Sequence, residues 1–140
     1  MDVPLNPISR EEIRKLESAI LVMALFDKET LERIKNPEQR VTWLDSLYIA
    51  AAAFARSKAG MPISKIANEL GVTDITIRNH LKGETKAGQL VLKIYEKLSK
   101  EGFKVELPEE VVHQYNKRIQ ELENKLNLVK NTLKDLLEKL

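Results

Sequence analysis

The chain has 140 residues, 43% of them hydrophobic, a formal net charge of +2 and no cysteine. This length and apolar content suffice for one hydrophobic core and one appendage, and the lack of cysteine excludes disulfides, thiolate metal sites and a cysteine nucleophile. The longest apolar run, 47–55, is too short to cross a membrane, and the first residues do not resemble a secretory signal, so we expect a cytoplasmic protein without membrane partners.

Positive charge is concentrated in the middle of the chain. Residues 56–104 contain ten Lys/Arg and five Asp/Glu, whereas acidic residues slightly outnumber basic ones both before and after this segment. A phosphate backbone attracts such a local excess of cations. The distribution therefore predicts that the middle segment faces a nucleic acid.

A first helix is predicted to begin after residues 1–7, which we expect to be a loose arm. Ser9 and Glu12 have the spacing of a capping box, and Ile8 and Ile13 that of the accompanying hydrophobic staple. Apolar residues then recur at helical spacing as far as about Phe26.

Two more helices are predicted before residue 60. Asp27 is a suitable N-cap for a short one, and Asn36-Pro37 ends it and begins the next, because proline disfavours a helical residue before itself but suits a first helical position. This third helix, about 37–58, is apolar on nearly every side and should be the buried spine. We expect Trp43 and Tyr48 to pack in the core.

Residues 61–83 carry the strongest motif. Ala67, Gly71 and Ile77 have the spacing of a helix-turn-helix, in which the glycine turns the chain between two short helices, and Thr73 can cap the second. The alternative is an ordinary helical hairpin whose outer face is only solvated.

On the helix-turn-helix interpretation, the second helix enters the major groove of DNA. Arg78 and Asn79 would read base edges, since Arg matches guanine and Asn matches adenine, while lysines would hold phosphates. The predicted DNA-binding residues are Thr73, Asp74, Ile75, Thr76, Arg78, Asn79 and Lys82 on the second helix, with Lys65 and Lys86 beside it.

A further helix is predicted over about 86–100. Lys86, Lys93, Lys97 and Lys100 recur on one side of it, as a solvated face or as a row along a DNA backbone. Residues 103–107 alternate as a strand would, but no second strand follows to complete a hairpin. We therefore predict a motif without a wing.

Part of this segment is similar to a known family. The sequence LYIA at 47–50 and GVTDITIRN at 71–79 resembles the second cyclin-like repeat of archaeal transcription factor B, in which an alanine-rich helix precedes a motif close to GVTEVTVRN. The resemblance implies that Thr73, Thr76, Arg78 and Asn79 face DNA. The chain departs from that family in lacking a zinc ribbon and in having His80-Leu81, and its RNHL sequence looks more like many prokaryotic repressors.

The C-terminal segment has a regular heptad pattern. Apolar residues alternate in steps of three and four over about four repeats, which is long enough for a coiled coil. The predicted dimerisation residues are Val112, Tyr115, Ile119, Leu122, Leu126, Val129, Leu133, Leu136 and Leu140. Flanking charges favour neither a parallel nor an antiparallel pair, and the alternative is one amphipathic helix folded back on its own domain.

No catalytic constellation is recognisable. His80 and His113 are the only histidines and lie in different predicted elements, and no phosphate-loop, zinc-protease or serine-hydrolase motif occurs. We therefore expect no enzyme activity, cofactor or metal. His80 is expected to be a partly buried helix residue.

These patterns together predict an all-α protein: a helical bundle with a wingless helix-turn-helix at 61–83 within residues 1–104, then a coiled-coil helix at 105–140. The expected function is that of a sequence-specific, nucleoid-associated transcriptional regulator that binds double-stranded DNA as a homodimer and contacts the transcription machinery. The alternative is an adaptor in a transcription, replication or segregation assembly, in which the motif and the coil dock proteins.

Overall fold

The computed structural model describes residues 2–140, which form seven α-helices and no strand, so the predicted all-α class is confirmed. The helices are α1 Arg10–Leu25, α2 Lys28–Ile34, α3 Pro37–Lys58, α4 Ile63–Leu70, α5 Asp74–Leu81, α6 Lys86–Glu101 and α7 Glu109–Glu138. The chain divides into two compact units, one ending at Glu106 and the other spanning Leu107–Leu140. None of the helices in the described range is long and apolar enough to cross a membrane.

The helices begin where short polar side chains cap their first turns. The side chains of Ser9, Asp27 and Asn36 accept hydrogen bonds from the backbone N–H groups of Glu12, Glu29 and Glu38. These bonds satisfy donors that have no partner inside the helix. The predicted starts of α1, α2 and α3 are therefore present.

The entry into α1 differs from the prediction in two ways. Ile8 is 91% exposed and forms no hydrophobic staple. The Glu12 carboxylate accepts the Ile8 backbone N–H at 2.8 Å. The preceding arm is not loose. Val3 and Leu5 pack against the main core, and the Tyr95 hydroxyl donates to the Leu5 carbonyl at 2.8 Å.

The main core lies between α1, α3 and α6. Leu16, Leu47 and Val91 represent the three helices in it and are at most 1% exposed. Burying an aliphatic side chain of this size stabilises a fold by about 1.5–3 kcal/mol. Four consecutive alanines of α3, at 50–53, are buried, and their small side chains let neighbouring helices approach the spine closely.

The spine is not buried on every side. Trp43 lies in the core as expected, but the prediction for Tyr48 is wrong, because its side chain is 48% exposed. Val41, on the same helix, is 73% exposed. The short helices α4 and α5 pack against Ile49 and Ala53. At about 1.5 Å per residue an eight-residue helix cannot cover the whole of a 22-residue one.

A second, smaller cluster supports α4 and α5. Ile66 and Ala67 from α4 meet Ile77 from α5 and Ala53 from α3, and all four are nearly inaccessible to solvent. This cluster joins the two short helices to the spine and fixes their mutual orientation.

Residues 103–107 form no regular structure in spite of their alternating pattern. Gly102 ends α6 with a positive φ of 78°, and Lys104 pairs with Glu106 at 2.9 Å. A single extended segment with no second strand has no partner for its backbone hydrogen bonds.

The second unit consists chiefly of α7. None of its residues is buried, and Leu140 lies beyond the end of the helix. The last residue of the predicted dimerisation set is therefore not helical, whereas the other eight are.

Candidate nucleic-acid interface

The turn between α4 and α5 depends on one glycine. Gly71 has φ 69° and ψ 33°, a left-handed conformation that only glycine adopts without strain. Its N–H and that of Val72 both donate to the Ala67 carbonyl, so α4 ends and the chain reverses within three residues. Thr73 then starts α5 by accepting the Thr76 N–H at 3.2 Å.

One face of α5 is turned to solvent and the other to the small cluster. Ile77 is fully buried, whereas Asp74, Ile75 and Arg78 are exposed and Ile75 keeps 65% of its accessible surface. Asn79 is half-buried and Lys82, at the end of the helix, is exposed. Steps of three and four residues place 74, 75, 78, 79 and 82 on the same side of the helix.

Arg78 is a free cation on this face. Its side chain has no hydrogen bond or ion pair with any other residue of 2–140. By contrast, Thr73 and Thr76 are occupied locally, because their hydroxyls lie 2.9 Å apart at the helix cap. The threonines therefore have less hydrogen-bonding capacity for a ligand than Arg78.

The remaining predicted lysines lie on three different elements. Lys65 is exposed on α4, Lys82 ends α5, and Lys86 begins α6. Two other lysines of the basic row are already paired, Lys93 with Asp27 at 3.7 Å and Lys100 with Glu96 at 2.9 Å. The continuous basic row that the sequence suggested is thus partly neutralised.

Arg56, which also contributes to the positive segment, is not available to a ligand. Its side chain is only 15% exposed and lies between Glu17 of α1 and Glu69 of α4, with Nε 3.0 Å from a Glu69 oxygen. Arg10 of α1 donates to the same carboxylate from its Nη1 at 3.0 Å. We call Arg10, Glu17, Arg56 and Glu69 the ion network. It ties α4 to the two long helices beneath it.

The ion network predicts a specific pH dependence. Hydrogen bonds from Arg10 and Arg56 lower the pKa of Glu69 from 4.5 to about 2. Because the folded pKa lies below the unfolded one, the contribution of Glu69 is present above about pH 4.5 and is lost as the pH falls towards 2. Glu69→Gln should therefore lower the Tm most at neutral pH, with the difference from the parent shrinking across this range.

The matched control for this measurement is Glu84→Gln. Glu84 is exposed and its carboxylate has no partner among residues 2–140, so its loss should leave the acid limb of the Tm–pH curve unchanged. Parallel curves for the parent protein and Glu69→Gln would contradict the assignment.

The inner end of α5 is fixed to α6 through His80. Its ring Nδ1 lies 2.7 Å from the Thr85 hydroxyl, which also accepts the Gly88 N–H at 2.9 Å. His80 is 7% exposed, and this burial lowers its pKa. His80 lies in a helix as predicted, but it is buried rather than partly buried, and the sequence did not indicate its partner.

Gly88 is required by this contact, since a Cβ there would lie 2.3 Å from the His80 carbonyl oxygen and 2.9 Å from the Thr85 hydroxyl. Gly88→Ala should lower the free energy of unfolding by about 1–3 kcal/mol, the usual cost of overpacking, although alanine favours helix by up to about 1 kcal/mol. Urea denaturation measures the change. The control substitution Ser99→Ala, at an exposed position of α6, should not destabilise the protein. A Gly88→Ala protein as stable as the parent would refute the close approach of Gly88 to His80.

The apolar side of α7 is as open as the outer face of α5. Eight of the nine predicted dimerisation residues lie on the helix, and all of them keep between 40% and 67% of their accessible surface. Leu128 and Leu137 are exposed as well but fall outside the heptad positions. Within Leu107–Leu140 no other residue covers this side, because the segment contains no second helix that could pack against α7.

Comparison with known proteins identifies one relative. The chain is 54% identical over 104 residues to an uncharacterized protein of Methanocaldococcus jannaschii, an alignment that covers 74% of this chain and 64% of that protein. The chain thus spans less than two thirds of the length of this curated relative. No family model matches the sequence, and no solved structure matches it.

Proposed function

We propose that the protein is a sequence-specific double-stranded DNA-binding regulator of transcription, in which α4 and α5 are a wingless helix-turn-helix. The observation that carries this proposal is the outer face of α5, where Arg78 is exposed and has no partner among the described residues. An arginine without an ionic partner binds a polyanion with the largest gain in free energy, since no existing ion pair has to be broken first.

The contacts that hold the two-helix unit in place support the same proposal. The small cluster and the ion network hold α4 on the spine from two sides, and the His80–Thr85 contact holds the end of α5. Recognition of base edges requires such a rigid support, because hydrogen bonds to bases tolerate little displacement. Lys65 and Lys82 flank the recognition helix and would contact phosphates.

We further propose that the protein acts as a homodimer through a coiled coil formed by α7. The apolar positions repeat every seven residues, as a coiled-coil seam requires. In an antiparallel pair Glu123 would meet Lys130 twice, whereas in a parallel pair Arg118 would meet Glu123 and Lys125 would meet Lys130. Two copies of the motif would then bind two half-sites.

Selection of binding sites from random DNA duplexes with the full chain tests the proposal. An enriched sequence is expected, and symmetry of that sequence would report a dimer. A pool with no enrichment would contradict sequence-specific binding.

Salt dependence separates a DNA-binding protein from an adaptor. A protein that contacts several phosphates loses affinity steeply as salt rises, with a slope of about −0.9 per phosphate in log–log form. Retention on duplex DNA at low salt with such a slope supports the proposal. An adaptor would not be retained on duplex DNA at physiological salt.

A further inference from the structure

A cleft of about 380 Å³ opens between the start of α3 and the junction of α5 with α6. Its walls include Trp43 and Thr42 of α3, His80 of α5, and Lys86 and Ala87 of α6. The volume lies within the usual range for small-molecule sites. All of these residues belong to the unit that ends at Glu106.

The chemistry of His80 gives the cleft a directed hydrogen-bond donor. The Thr85 hydroxyl accepts the Gly88 N–H, and its single proton can be donated to His80 Nδ1, an arrangement that satisfies all three groups. Burial lowers the pKa of His80 and favours the neutral ring, which in this arrangement carries its proton on Nε2. No side-chain nitrogen or oxygen in residues 2–140 is both buried and without a partner, so Nε2 is not fully buried. His80 is one of the residues that line the cleft.

The charges around the cleft favour a ligand with a single negative charge. Lys86 is exposed and unpaired within the described chain. Arg33 also lines the cleft, but its guanidinium already pairs with Glu29 at 3.1 Å and lies 4.3 Å from the Trp43 ring. Glu38 adds one negative charge to the wall, which would repel a polyphosphate more strongly than a monoanion.

Trp43 and Ala87 give the cleft an apolar wall, which favours a ligand with an apolar body. Trp43 is held in place by a hydrogen bond from its indole N–H to the Thr30 hydroxyl at 3.0 Å, and Thr30 is fully buried. This bond and the stacked Arg33 leave the ring little freedom to move. Ala87 presents only a methyl group on the opposite element.

We propose that this cleft binds a small carboxylate with a planar apolar body, the carboxylate accepting from His80 Nε2 and pairing with Lys86. Such a ligand would contact α3, α5 and α6 at once. Lys86 also belongs to the predicted DNA-binding set, whereas Trp43, His80 and Ala87 are buried and do not, so the site is tested in the absence of DNA.

Titration of the full chain with benzoate, followed by ¹H–¹⁵N NMR in the absence of DNA, tests the proposal. The chain has one tryptophan, so the single indole N–H signal reports on the cleft without ambiguity. We expect this signal and that of the Ala87 amide to shift and saturate in the millimolar range usual for a fragment-sized ligand. Absence of a saturable shift would overturn the proposal.

Two variants and one related compound separate the site from non-specific effects. Lys86→Ala and His80→Gln should each weaken benzoate binding at least about tenfold, the effect of a hydrogen bond to a charged group, whereas Lys97→Ala removes an equal charge from α6 outside the cleft and should change nothing. Benzamide, which has the same shape without the charge, should bind more weakly. The proposal would be overturned if Lys97→Ala weakened benzoate binding as much as Lys86→Ala, or if benzamide bound as tightly as benzoate. Because Lys86 is exposed, its substitution should not affect folding, and the test does not depend on the stability of the His80 variant.

Discussion

Replacing both Arg78 and Asn79 with alanine is expected to abolish the preference of the protein for its selected DNA site while leaving weak, salt-dependent binding to any duplex. Each side chain that reads a base edge contributes about 1–3 kcal/mol of discrimination. Arg78 is exposed and Asn79 half-buried, and neither contributes to the buried cluster, so the variant should fold normally. Competition between the selected site and random DNA measures the loss.

The matched control is Arg14→Ala. Arg14 is exposed on α1 and has no partner within residues 2–140, so its removal changes the net charge of the protein by the same amount as Arg78→Ala. We expect the control to retain site preference. If the double variant keeps the affinity of the parent protein for the selected site, the assignment of α5 to the major groove is wrong.

A second large effect is expected from Leu126→Asp. Leu126 is at the centre of the predicted seam, and one leucine from each chain would be lost from the interface. Burial of a leucine is worth at least about 1.5 kcal/mol, so the dimer should be weakened by about 3 kcal/mol or more, roughly a hundredfold or greater increase in its Kd. Sedimentation equilibrium measures the change directly.

Leu128→Asp provides an unusually close control for that experiment. Leu126 and Leu128 are both 67% exposed in the isolated helix, but two residues of helix place their side chains on nearly opposite sides. Only Leu126→Asp should shift the protein towards monomer. Equal effects of the two substitutions, or an unchanged number of chains per particle after truncation at Leu107, would refute a dimer formed through the heptad seam.

Local patterns were sufficient to predict where the helices begin and turn. Ser9, Asp27, Asn36 and Thr73 cap the helices that their positions predicted. Gly71 adopts the left-handed conformation that its spacing required. These features depend on residues within one helical turn of each other, so the chain needs no distant partner to form them.

Local patterns failed where a neighbouring element decides the outcome. Ile8 and Tyr48 both fit an apolar pattern, yet no other element covers them, and they are 91% and 48% exposed. Arg56 belongs to the positive segment 56–104, but its charge is taken up in the ion network. Hydropathy describes what a side chain favours and not which surfaces remain to cover it.

The amino-acid sequence alone determines that this protein is helical and that it contains two apolar periodicities. One belongs to the short helices α4 and α5, and the other is the heptad pattern of α7. The tertiary structure alone decided which charges remain free and where the cleft lies, because Arg10 and Glu69, 59 residues apart, meet only when α1 and α4 pack on the same spine. Periodicity acts over a few residues and defines helices and their faces. The ion network and the cleft at His80 arise from packing between distant helices.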